Sequence, residues 1–405
     1  MKKPELLAPA GNLDKLKTAI DFGADAVYLG GSKLNLRAFA DNFSNEEMAE
    51  GIKYAHDRGR KVYVVINVYP HNDDFDGLED YLIELNSMGV DAILVSDPGI
   101  ISVAKEVVPN LEIHLSTQAN NVNYRSAKFW HDLGVKRIVL ARELSLEEIK
   151  TIREKLPESC DLEAFVHGSM CMSYSGRCLL SNYMTGRDSN RGACAQPCRY
   201  KYHLVEEKRP GEYYEIVEDD RGTYIMNSKD LCMIEHIDDV INAGVYSLKI
   251  EGRMKSLYYV AAVVKAYRQA IDECMKDPKN YKFKEEWMES LNKVSHRQYH
   301  TGFYYGDKET QITGSSSYIR SADIVGIVRE FDKENMIATV EQKNKVLDED
   351  VVEVLRPVGD NFKIKIYDMR EVDGEKINSA PRAQMMFKVK VDTELKVKDI
   401  LVKDK

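Results

Sequence analysis

The sequence predicts an α/β protein in two parts: a (β/α)8 TIM-like barrel with a cysteine-rich insertion, and a small C-terminal all-β barrel domain. Three patterns predict this fold. A helix-like run, a glycine and a short apolar strand recur along the first part of the chain. Eight such strands fall within ~250 residues, which is typical of a TIM barrel. Between residues 322 and 402, apolar and polar residues alternate with period two, as they do in β-strands.

Glycine marks the end of the preceding helix before five of the predicted strands. Glycine readily adopts the left-handed conformation in which many helices terminate. These glycines are Gly23, Gly59, Gly89, Gly134 and Gly244. The eight predicted barrel strands are Glu5–Ala8, Ala26–Leu29, Val62–Asn67, Ala92–Ser96, Ile113–Ser116, Arg137–Ala141, Glu163–His167 and Ser247–Glu251.

The segments between the strands carry signals for helix starts. In Ser44–Glu47 and in Ser145–Glu148, a serine and a glutamate three residues apart can each satisfy a backbone N–H of the other. Asp97 followed by Pro98 is typical of a helix cap with proline at the first helical position. A doubly wound sheet is the alternative to the barrel, but no glycine-rich dinucleotide-binding turn opens any of these helices.

The predicted domains are residues 1–313 for the barrel and residues 320–405 for the β domain, joined by a linker at Gly314–Ser317. Helices near Leu257–Asp277 and Lys284–Val294 follow the last barrel strand.

The insertion occupies about residues 168–228, where no regular helix is predicted until about Asp230. It contains two strand-like stretches, around Tyr200–Val205 and Tyr213–Val217, with a turn at Lys208–Gly211 between them. A loop of this length inside a compact domain is usually functional.

Composition is that of a globular protein: 43% of the residues are apolar, and 57 basic against 66 acidic residues give a net charge of −9. The acidic balance argues against a general nucleic-acid coat but allows one basic face. There is no apolar run of the ~20 residues that span a bilayer, and no apolar secretory signal at the start. We therefore expect a cytoplasmic protein with no membrane partner.

Four of the seven cysteines fall between residues 171 and 198, with the spacing Cys171-x₆-Cys178-x₁₅-Cys194-x₃-Cys198. In a reducing compartment, clustered thiols indicate a metal site, because a metal compensates the buried thiolate charge. The spacing lacks the close pairs of common zinc fingers, so it favours an iron–sulfur cluster, with zinc as the alternative. Unrelated buried cysteines are the remaining interpretation. Cys232 and Cys274 lie in helix-like stretches and are expected to be buried as small hydrophobic residues.

Polar residues follow the predicted strands, at the end of a barrel where active sites lie. The candidates for catalysis are Glu251, Arg253, His167 and Arg142. Such a set could bind an anionic substrate and move protons. The structural alternatives are an internal ion pair between Glu251 and Arg253, and a role for His167 as a partner of the metal site.

The insertion is also locally basic and rich in tyrosine. Arginine and aromatic side chains can bind phosphates and stack on bases, although a solvated basic face is an equal alternative. The candidate RNA-binding residues are Arg177, Arg187, Arg191, Arg199, Tyr200 and Lys201.

The segment Glu163-Ala-Phe-Val-His-Gly-Ser-Met-Cys171-Met-Ser-Tyr-Ser-Gly-Arg-Cys178 resembles the signature of the collagenase-like peptidase family U32. The resemblance covers nearly the whole chain. Its other motifs are Glu5–Gly11, Gly23–Tyr28, Arg191–Arg199, Asn227–Leu231 and Lys249–Ser256. The sequence contains no His-Glu-x-x-His motif and no Gly-x-Ser-x-Gly motif of known hydrolases.

The resemblance implies more than the family name. Better-understood members are iron–sulfur proteins of RNA and quinone hydroxylation, and one branch is required for 5-hydroxyuridine at the wobble position of tRNA. By resemblance, a [4Fe-4S] cluster would be held by Cys171, Cys178, Cys194 and Cys198. The expected partners are the tRNA anticodon loop and a small carboxylate co-substrate, with prephenate as the expected source of the hydroxyl group. The alternatives are a collagenase-like peptidase, hydroxylation of another RNA, and a non-catalytic binding module folded around zinc.

Overall fold

The structure is a computed structural model that describes residues 2–31, 34, 42–171, 173–174, 176–199, 203–204, 214–215, 227–306, 311–312 and 318–405. Its first part is a closed barrel of eight parallel strands, which confirms the predicted fold class. Each predicted strand is present to within two residues at its ends. The strands are Glu5–Pro9 (β1), Ala26–Leu29 (β2), Lys61–Ile66 (β3), Ala92–Val95 (β4), Glu112–Leu115 (β5), Arg137–Val139 (β6), Asp161–Ser169 (β7) and Ser247–Ile250 (β8).

Strand β8 closes the barrel because it pairs with both β1 and β7. Ser247 is the register partner of Glu5 on one side and of Glu163 on the other. All strand neighbours within the barrel are parallel, so their carboxyl ends meet on one rim.

Helices cover the outside of the barrel, and the predicted capping signals are confirmed. Ser44 Oγ accepts a hydrogen bond from the backbone N–H of Glu47 at 3.2 Å, and the Glu47 carboxylate accepts one from Ser44 at 3.0 Å. The helices are Leu13–Asp21 (α1), Asn45–His56 (α2), Leu78–Ser87 (α3), Pro98–Val107 (α4), Tyr124–Asp132 (α5), Leu146–Lys155 (α6), Leu180–Thr185 (α7), Ile237–Asn242 (α8), Leu257–Lys276 (α9) and Glu285–Lys293 (α10). No helix among the described residues is both long enough and apolar enough to cross a lipid bilayer.

The barrel interior contains an ion network. Arg137 Nη1 lies 2.6 Å from Glu5 Oε1 and 3.2 Å from Glu163 Oε2, and Lys249 Nζ lies 2.7 Å from Glu163 Oε1. Tyr63 donates a further hydrogen bond to Glu5 at 2.7 Å. These side chains are buried and come from strands β1, β3, β6, β7 and β8. The network therefore joins strands across the barrel.

Strand β7 extends beyond the barrel and pairs there with a short flap, which consists of Asp230–Cys232 and Tyr299–His300. Its last residues pair with Asp230–Cys232 in antiparallel orientation, and Asp230–Cys232 pairs with Tyr299–His300. The flap is held by a buried ion pair, in which Arg297 Nη2 lies 2.6 Å from Asp230 Oδ1. The sequence pattern did not predict these added strands, because each is only two or three residues long.

The C-terminal part is an antiparallel all-β domain with its own apolar core, as predicted. The strands of its main sheet are Ala322–Asp332 (β9), Ile337–Gln342 (β10), Val351–Leu355 (β11), Phe362–Lys365 (β12), Tyr367–Glu371 (β13), Met386–Lys390 (β14) and Ile400–Asp404 (β15). The order across the sheet is β12-β11-β15-β9-β10-β14-β13. The edge strands β12 and β13 follow each other in the chain with only the buried Ile366 between them.

Several sequence predictions fall partly or wholly outside the described residues. In the insertion, His203–Leu204 pairs with Tyr214–Glu215 in antiparallel orientation, within the two predicted strand-like stretches. The predicted turn at Lys208–Gly211 and the linker at Gly314–Ser317 lie outside the described residues.

We predict that Arg137→Met lowers the free energy of unfolding by ~3–5 kcal/mol, because the variant leaves buried carboxylates without their partner. The control is Lys128→Met, since Lys128 pairs with Asp132 on the exposed face of α5. An exposed pair contributes less than ~1 kcal/mol. Urea unfolding followed by circular dichroism measures both changes, and equal losses in the two variants would contradict a structural role for the network.

Candidate active site at the barrel mouth

A small cavity of about 90 Å³ opens at the carboxyl ends of the barrel strands. It combines apolar walls with cationic, amide and hydroxyl groups. The lining residues are Tyr28, Val65, Asn67, Leu94, Ser116, Thr117, Gln118, Arg142, Phe165, Lys249, Glu251 and Arg253. The structure therefore brings three of the four predicted catalytic residues into one cavity.

Lys249 connects this cavity to the ion network below it. Its ammonium is buried, bonds to Glu163 and lies 4.6 Å from the centre of the Tyr28 ring. Burial lowers the pKa of Lys249, and the neighbouring Glu163 opposes that shift. Burial acts to raise the pKa of Glu163, but Lys249 and Arg137 outweigh it and lower this pKa. The carboxylate of Glu163 is therefore held in its charged form.

Arg142 forms one wall of the cavity. Its guanidinium stacks over the ring of Phe165, 4.0 Å from the centroid, and its Nη1 donates to the carbonyl of Ser169 at 3.2 Å. Its Nε has no hydrogen-bond partner among the described residues, and neither does the amide oxygen of Asn67. Buried polar atoms without partners are costly, so a bound molecule or water is expected at these positions.

Close packing between strand ends positions Glu251 and Arg253. The backbone N–H of Glu251 donates to the carbonyl of His167 at 2.8 Å. Gly168 has φ +110°, and a Cβ there would lie 2.5 Å from the Glu251 carbonyl oxygen, so only glycine fits. Arg253 is buried and donates to Asn42 Oδ1 at 3.0 Å.

His167, which the sequence suggested as a catalytic residue of the rim, does not line this cavity. Phe165 pairs with Lys249 and His167 with Ile250, which leaves Val166 as an extra residue in β7. Such a bulge reverses the side to which the next residue points. The imidazole is 1% exposed and packs against the rings of three tyrosines in α9 and the flap. Burial lowers the pKa of His167 to about 3, so its ring is neutral.

The insertion is attached to the rim beside the cavity. Gly176 has φ +73°, and a Cβ there would lie 2.4 Å from the Gln118 carbonyl oxygen and 2.5 Å from Tyr69 Oη. Arg191 Nη1 and Nη2 lie 2.8 and 3.2 Å from the two carboxylate oxygens of Asp74. This ion pair lowers the pKa of Asp74. Arg191 therefore holds the insertion against the barrel, which differs from its predicted role in binding RNA.

The other predicted RNA-binding residues divide into two groups. Arg177 and Arg187 are exposed, as are the neighbouring Tyr174 and Tyr183, of which Tyr183 is 89% exposed. The side chain of Arg199, together with all of Tyr200 and Lys201, lies outside the described residues.

The four clustered cysteines are free thiols on the insertion, and none of them is fully buried. Burial acts to raise the pKa of Cys178, but hydrogen bonds from Ser173 and from the backbone N–H of Leu180 outweigh it and lower this pKa. The backbone N–H of Gln196 donates to Cys194 Sγ at 3.3 Å. These donors favour thiolates, so the set fits a metal chemically. Among the described residues, however, no three potential ligands converge as a metal site.

The other three cysteines lie in apolar surroundings. Burial raises the pKa of Cys160 and of Cys274 to about 11, and that of Cys232 to about 12. The prediction that Cys232 and Cys274 are buried is confirmed, and Cys274 lies in a helix as predicted, but Cys232 lies in the strand Asp230–Cys232.

Sequence reasoning missed Lys249 and Phe165 as lining residues. Lys249 lies within a quoted motif, two residues before Glu251 in β8, and alternate residues of a strand face the same side. The spacing of two residues therefore indicates that Lys249 and Glu251 face the same side of the strand. The partner of Lys249, Glu163, gave no such signal because its contact is made across strands.

The fold and the site together define a TIM-barrel protein with a polar, cation-rich site at the carboxyl rim, where barrel enzymes carry their active sites. Comparison with known proteins gives the family. Residues 11–314 match Peptidase family U32, and residues 320–401 match the Peptidase family U32 C-terminal domain. The chain belongs to the U32 family.

Curated relatives of known name match most of the chain. It is 44% identical to tRNA hydroxylation protein P1 of Bacillus subtilis (strain 168), over 100% of this chain and 96% of the relative. It is 39% identical to tRNA hydroxylation protein P of Escherichia coli (strain K12), over 94% of this chain and 92% of the relative. A protein of Methanocaldococcus jannaschii named as an uncharacterized protease is 45% identical over 83% of each chain.

We predict that the free energy of unfolding of the wild-type protein falls more steeply below neutral pH than that of the His167→Asn variant. The pKa of His167 is about 3 in the folded state, well below its ordinary value of ~6.5, so the unfolded chain binds the extra proton. Stability from this group is present above pH ~6.5 and is lost as the pH falls towards 3. Between pH 7 and pH 5, the wild type should lose ~2 kcal/mol more than the variant.

Urea unfolding at the two pH values measures this difference. His71→Asn is the control, because His71 is exposed, and it should keep the wild-type pH dependence. Parallel pH profiles for wild type and His167→Asn would contradict a buried neutral imidazole.

Proposed function

We propose that this protein is a tRNA-modifying enzyme that hydroxylates the wobble uridine to 5-hydroxyuridine. The observation that carries the proposal is the cation-rich cavity at the barrel mouth, bordered by a thiol-bearing insertion. It is supported by the similarity, over nearly the full length, to two proteins named for tRNA hydroxylation.

The cavity binds the small carboxylate co-substrate, for which prephenate is the expected compound and source of the hydroxyl group. Arg142, Lys249 and Arg253 place three cationic side chains around it, against the single carboxylate of Glu251. Charge-assisted hydrogen bonds from arginine hold carboxylates strongly and in a defined orientation. Glu251 then positions polar groups of the bound molecule or relays a proton.

The clustered cysteines hold the cofactor in this proposal. Cys171, Cys178, Cys194 and Cys198 are the ligands of a [4Fe-4S] cluster, with zinc as the alternative metal. When bound, such a cluster would supply a redox-active or Lewis-acidic centre. The hydrogen bonds that reach Cys178 and Cys194 support their role as thiolate ligands.

The insertion contacts the tRNA anticodon loop. Arg177 and Arg187 contact phosphates, and the exposed rings of Tyr174 and Tyr183 offer stacking surfaces. The target uridine leaves the base stack, because chemistry on a base requires access to it. Arg199, Tyr200 and Lys201 are further candidates for RNA contact on sequence grounds alone.

We predict that the gene for this chain restores 5-hydroxyuridine to the tRNA of a bacterial strain that lacks its own tRNA hydroxylation proteins. Arg142→Gln and Arg253→Gln should reduce the restored nucleoside about 10- to 100-fold, because each removes a charged hydrogen bond of ~1.5–3 kcal/mol. Mass spectrometry of digested tRNA measures the nucleoside, and immunoblots report protein levels.

The matched control is Lys128→Gln, which removes an exposed cation on α5 and should restore the nucleoside fully. Absence of restoration by abundant wild-type protein would contradict the proposal. Collagen cleavage that is lost in Arg253→Gln, with no effect on tRNA, would favour the peptidase function that the family name suggests.

We also predict that anaerobically purified protein is brown and contains about four irons per chain, and that Cys194→Ala loses both. Cys274→Ala is the control and should keep its iron, because this thiol is buried in α9, outside the insertion. The visible spectrum and iron, sulfide and zinc analysis give the readout. Colourless protein with one zinc would instead support a structural metal site and the binding-module function.

A further inference from the structure

The cavity at the barrel mouth has two halves that differ in charge. The ends of β6 and β8 carry its charged side chains, whereas the ends of β3 and β5 carry polar side chains without charge. The charged half contains Arg142, Lys249, Glu251 and Arg253, and the neutral half contains Asn67, Ser116, Thr117 and Gln118. Because β3, β4 and β5 are neighbours in the barrel, as are β6, β7 and β8, the two halves lie on different sides of the mouth. An anion is favoured in the charged half and an uncharged polar group in the neutral half.

Hydrogen bonds hold Asn67 in a defined orientation within the neutral half. Its backbone carbonyl accepts from Ser96 Oγ at 3.2 Å, and its side-chain Nδ2 donates to Ser116 Oγ at 3.0 Å. The Oδ1 atom of Asn67 is buried and has no hydrogen-bond partner in the part of the chain that the structure describes. A buried acceptor without a donor is costly. A ligand that presents an N–H or O–H group to Asn67 Oδ1 is therefore favoured.

The cysteine-bearing insertion packs against the neutral half of the cavity. A Cβ on Gly176 would lie 2.4 Å from the carbonyl oxygen of Gln118 and 3.0 Å from its Oε1, so the backbone of the insertion runs directly past Gln118. Tyr69 Oη donates to the same carbonyl at 2.9 Å. Arg177, which follows Gly176, is exposed and is one of the side chains proposed to contact phosphates. A base of RNA held by the insertion therefore approaches the cavity beside its neutral half.

The remaining cavity walls suit a flat ring with apolar faces. Val65 of β3 and Leu94 of β4 supply aliphatic surface, and Tyr28 and Phe165 supply aromatic surface. Enzymes that act on an extruded base pack its faces against apolar or aromatic side chains and form hydrogen bonds with its Watson–Crick edge. On that edge, N3 of uracil carries a hydrogen and is a donor, whereas N3 of cytosine is an acceptor. An acceptor oxygen in the cavity therefore distinguishes the two bases.

We propose that Asn67 selects uracil over cytosine by accepting a hydrogen bond from N3–H of the target base at its Oδ1. This inference rests on the proposed function and names the residue that reads the base. The C5–C6 bond lies on the opposite side of the pyrimidine ring from N3. When N3 faces Asn67, this bond points away from the neutral half and towards the charged half, where the carboxylate co-substrate is proposed to bind. C5 is the atom that becomes hydroxylated in 5-hydroxyuridine.

Binding of anticodon stem-loops tests the role of Asn67 without requiring turnover. Three fluorescent RNA stem-loops differ only at the wobble position, which carries uridine, 3-methyluridine or cytidine. The methyl group of 3-methyluridine replaces the N3 hydrogen. Anaerobically purified full-length protein should bind the uridine loop at least about tenfold more tightly than either other loop, because both leave Asn67 Oδ1 without a donor. Fluorescence anisotropy at one fixed salt concentration measures the three dissociation constants.

Variants of Asn67 separate the hydrogen bond from a general effect on the fold. Asn67→Ala removes the acceptor, so it should bind the three loops within about threefold of one another. Asn67→Asp keeps an acceptor oxygen and should still bind the uridine loop more tightly than the 3-methyluridine loop. Asn86→Ala is the matched control, because Asn86 is an exposed asparagine of α3, and it should keep the wild-type preference. Circular dichroism shows whether each variant is folded.

Two outcomes overturn this inference: equal binding of the three loops by the wild-type protein, and an unchanged preference for uridine in folded Asn67→Ala. Either result, combined with restoration of 5-hydroxyuridine in the complemented strain, would leave the proposed function intact. The converse result is selective binding of the uridine loop that depends on Asn67, without restoration of the nucleoside. It would support the reading of uracil by Asn67 and contradict the proposed hydroxylation.

Discussion

The buried ion network of Glu5, Arg137, Glu163 and Lys249 is the interaction on which the rest of the barrel depends. Barrel interiors are usually filled by branched aliphatic side chains. Here charged groups from strands β1, β6, β7 and β8 meet in the interior. Removing any one of them would leave another charge buried and unpaired, so the four constrain one another. The upper end of the network is Lys249, which is also part of the mouth cavity, so barrel closure and site geometry are coupled.

Val166, the extra residue in β7, also determines which of its neighbours face the cavity. The bulge at Val166 turns His167 outward and leaves Phe165 facing the cavity. Beyond it, β7 continues past the rim, pairs with the flap and leads into the cysteine-bearing insertion. The ion pair between Arg191 and Asp74 then holds that insertion against the barrel. This one-residue bulge thus places His167 against α9, whereas Phe165 faces the cavity.

In this protein, the buried charged groups with a structural role are paired with each other, whereas a candidate binding group keeps a buried polar atom without a described partner. Arg297 and Asp230 satisfy each other in the flap, and Glu163 is satisfied by two cations in the barrel. In contrast, the buried Nε of Arg142 at the mouth has no hydrogen-bond partner in the part of the chain that the structure describes. A buried polar group is costly when it is unsatisfied, so a ligand that bonds to Arg142 gains free energy of binding there.

Local sequence patterns predict the order and type of the main elements, the capping of the helices and the all-β nature of the C-terminal part. These features follow from local patterns: glycine after helices, serine–glutamate caps, and periods of 3.6 and 2 residues. The sequence also identified the residues Arg142, Glu251 and Arg253, because the carboxyl ends of parallel strands share one rim. The direction of the His167 side chain, the contact of Arg191 with Asp74 and the place of Lys249 in the cavity emerge only in the folded chain. Each of these depends on a contact between residues distant in the chain or on a one-residue bulge, and neither leaves a periodic signal in the sequence.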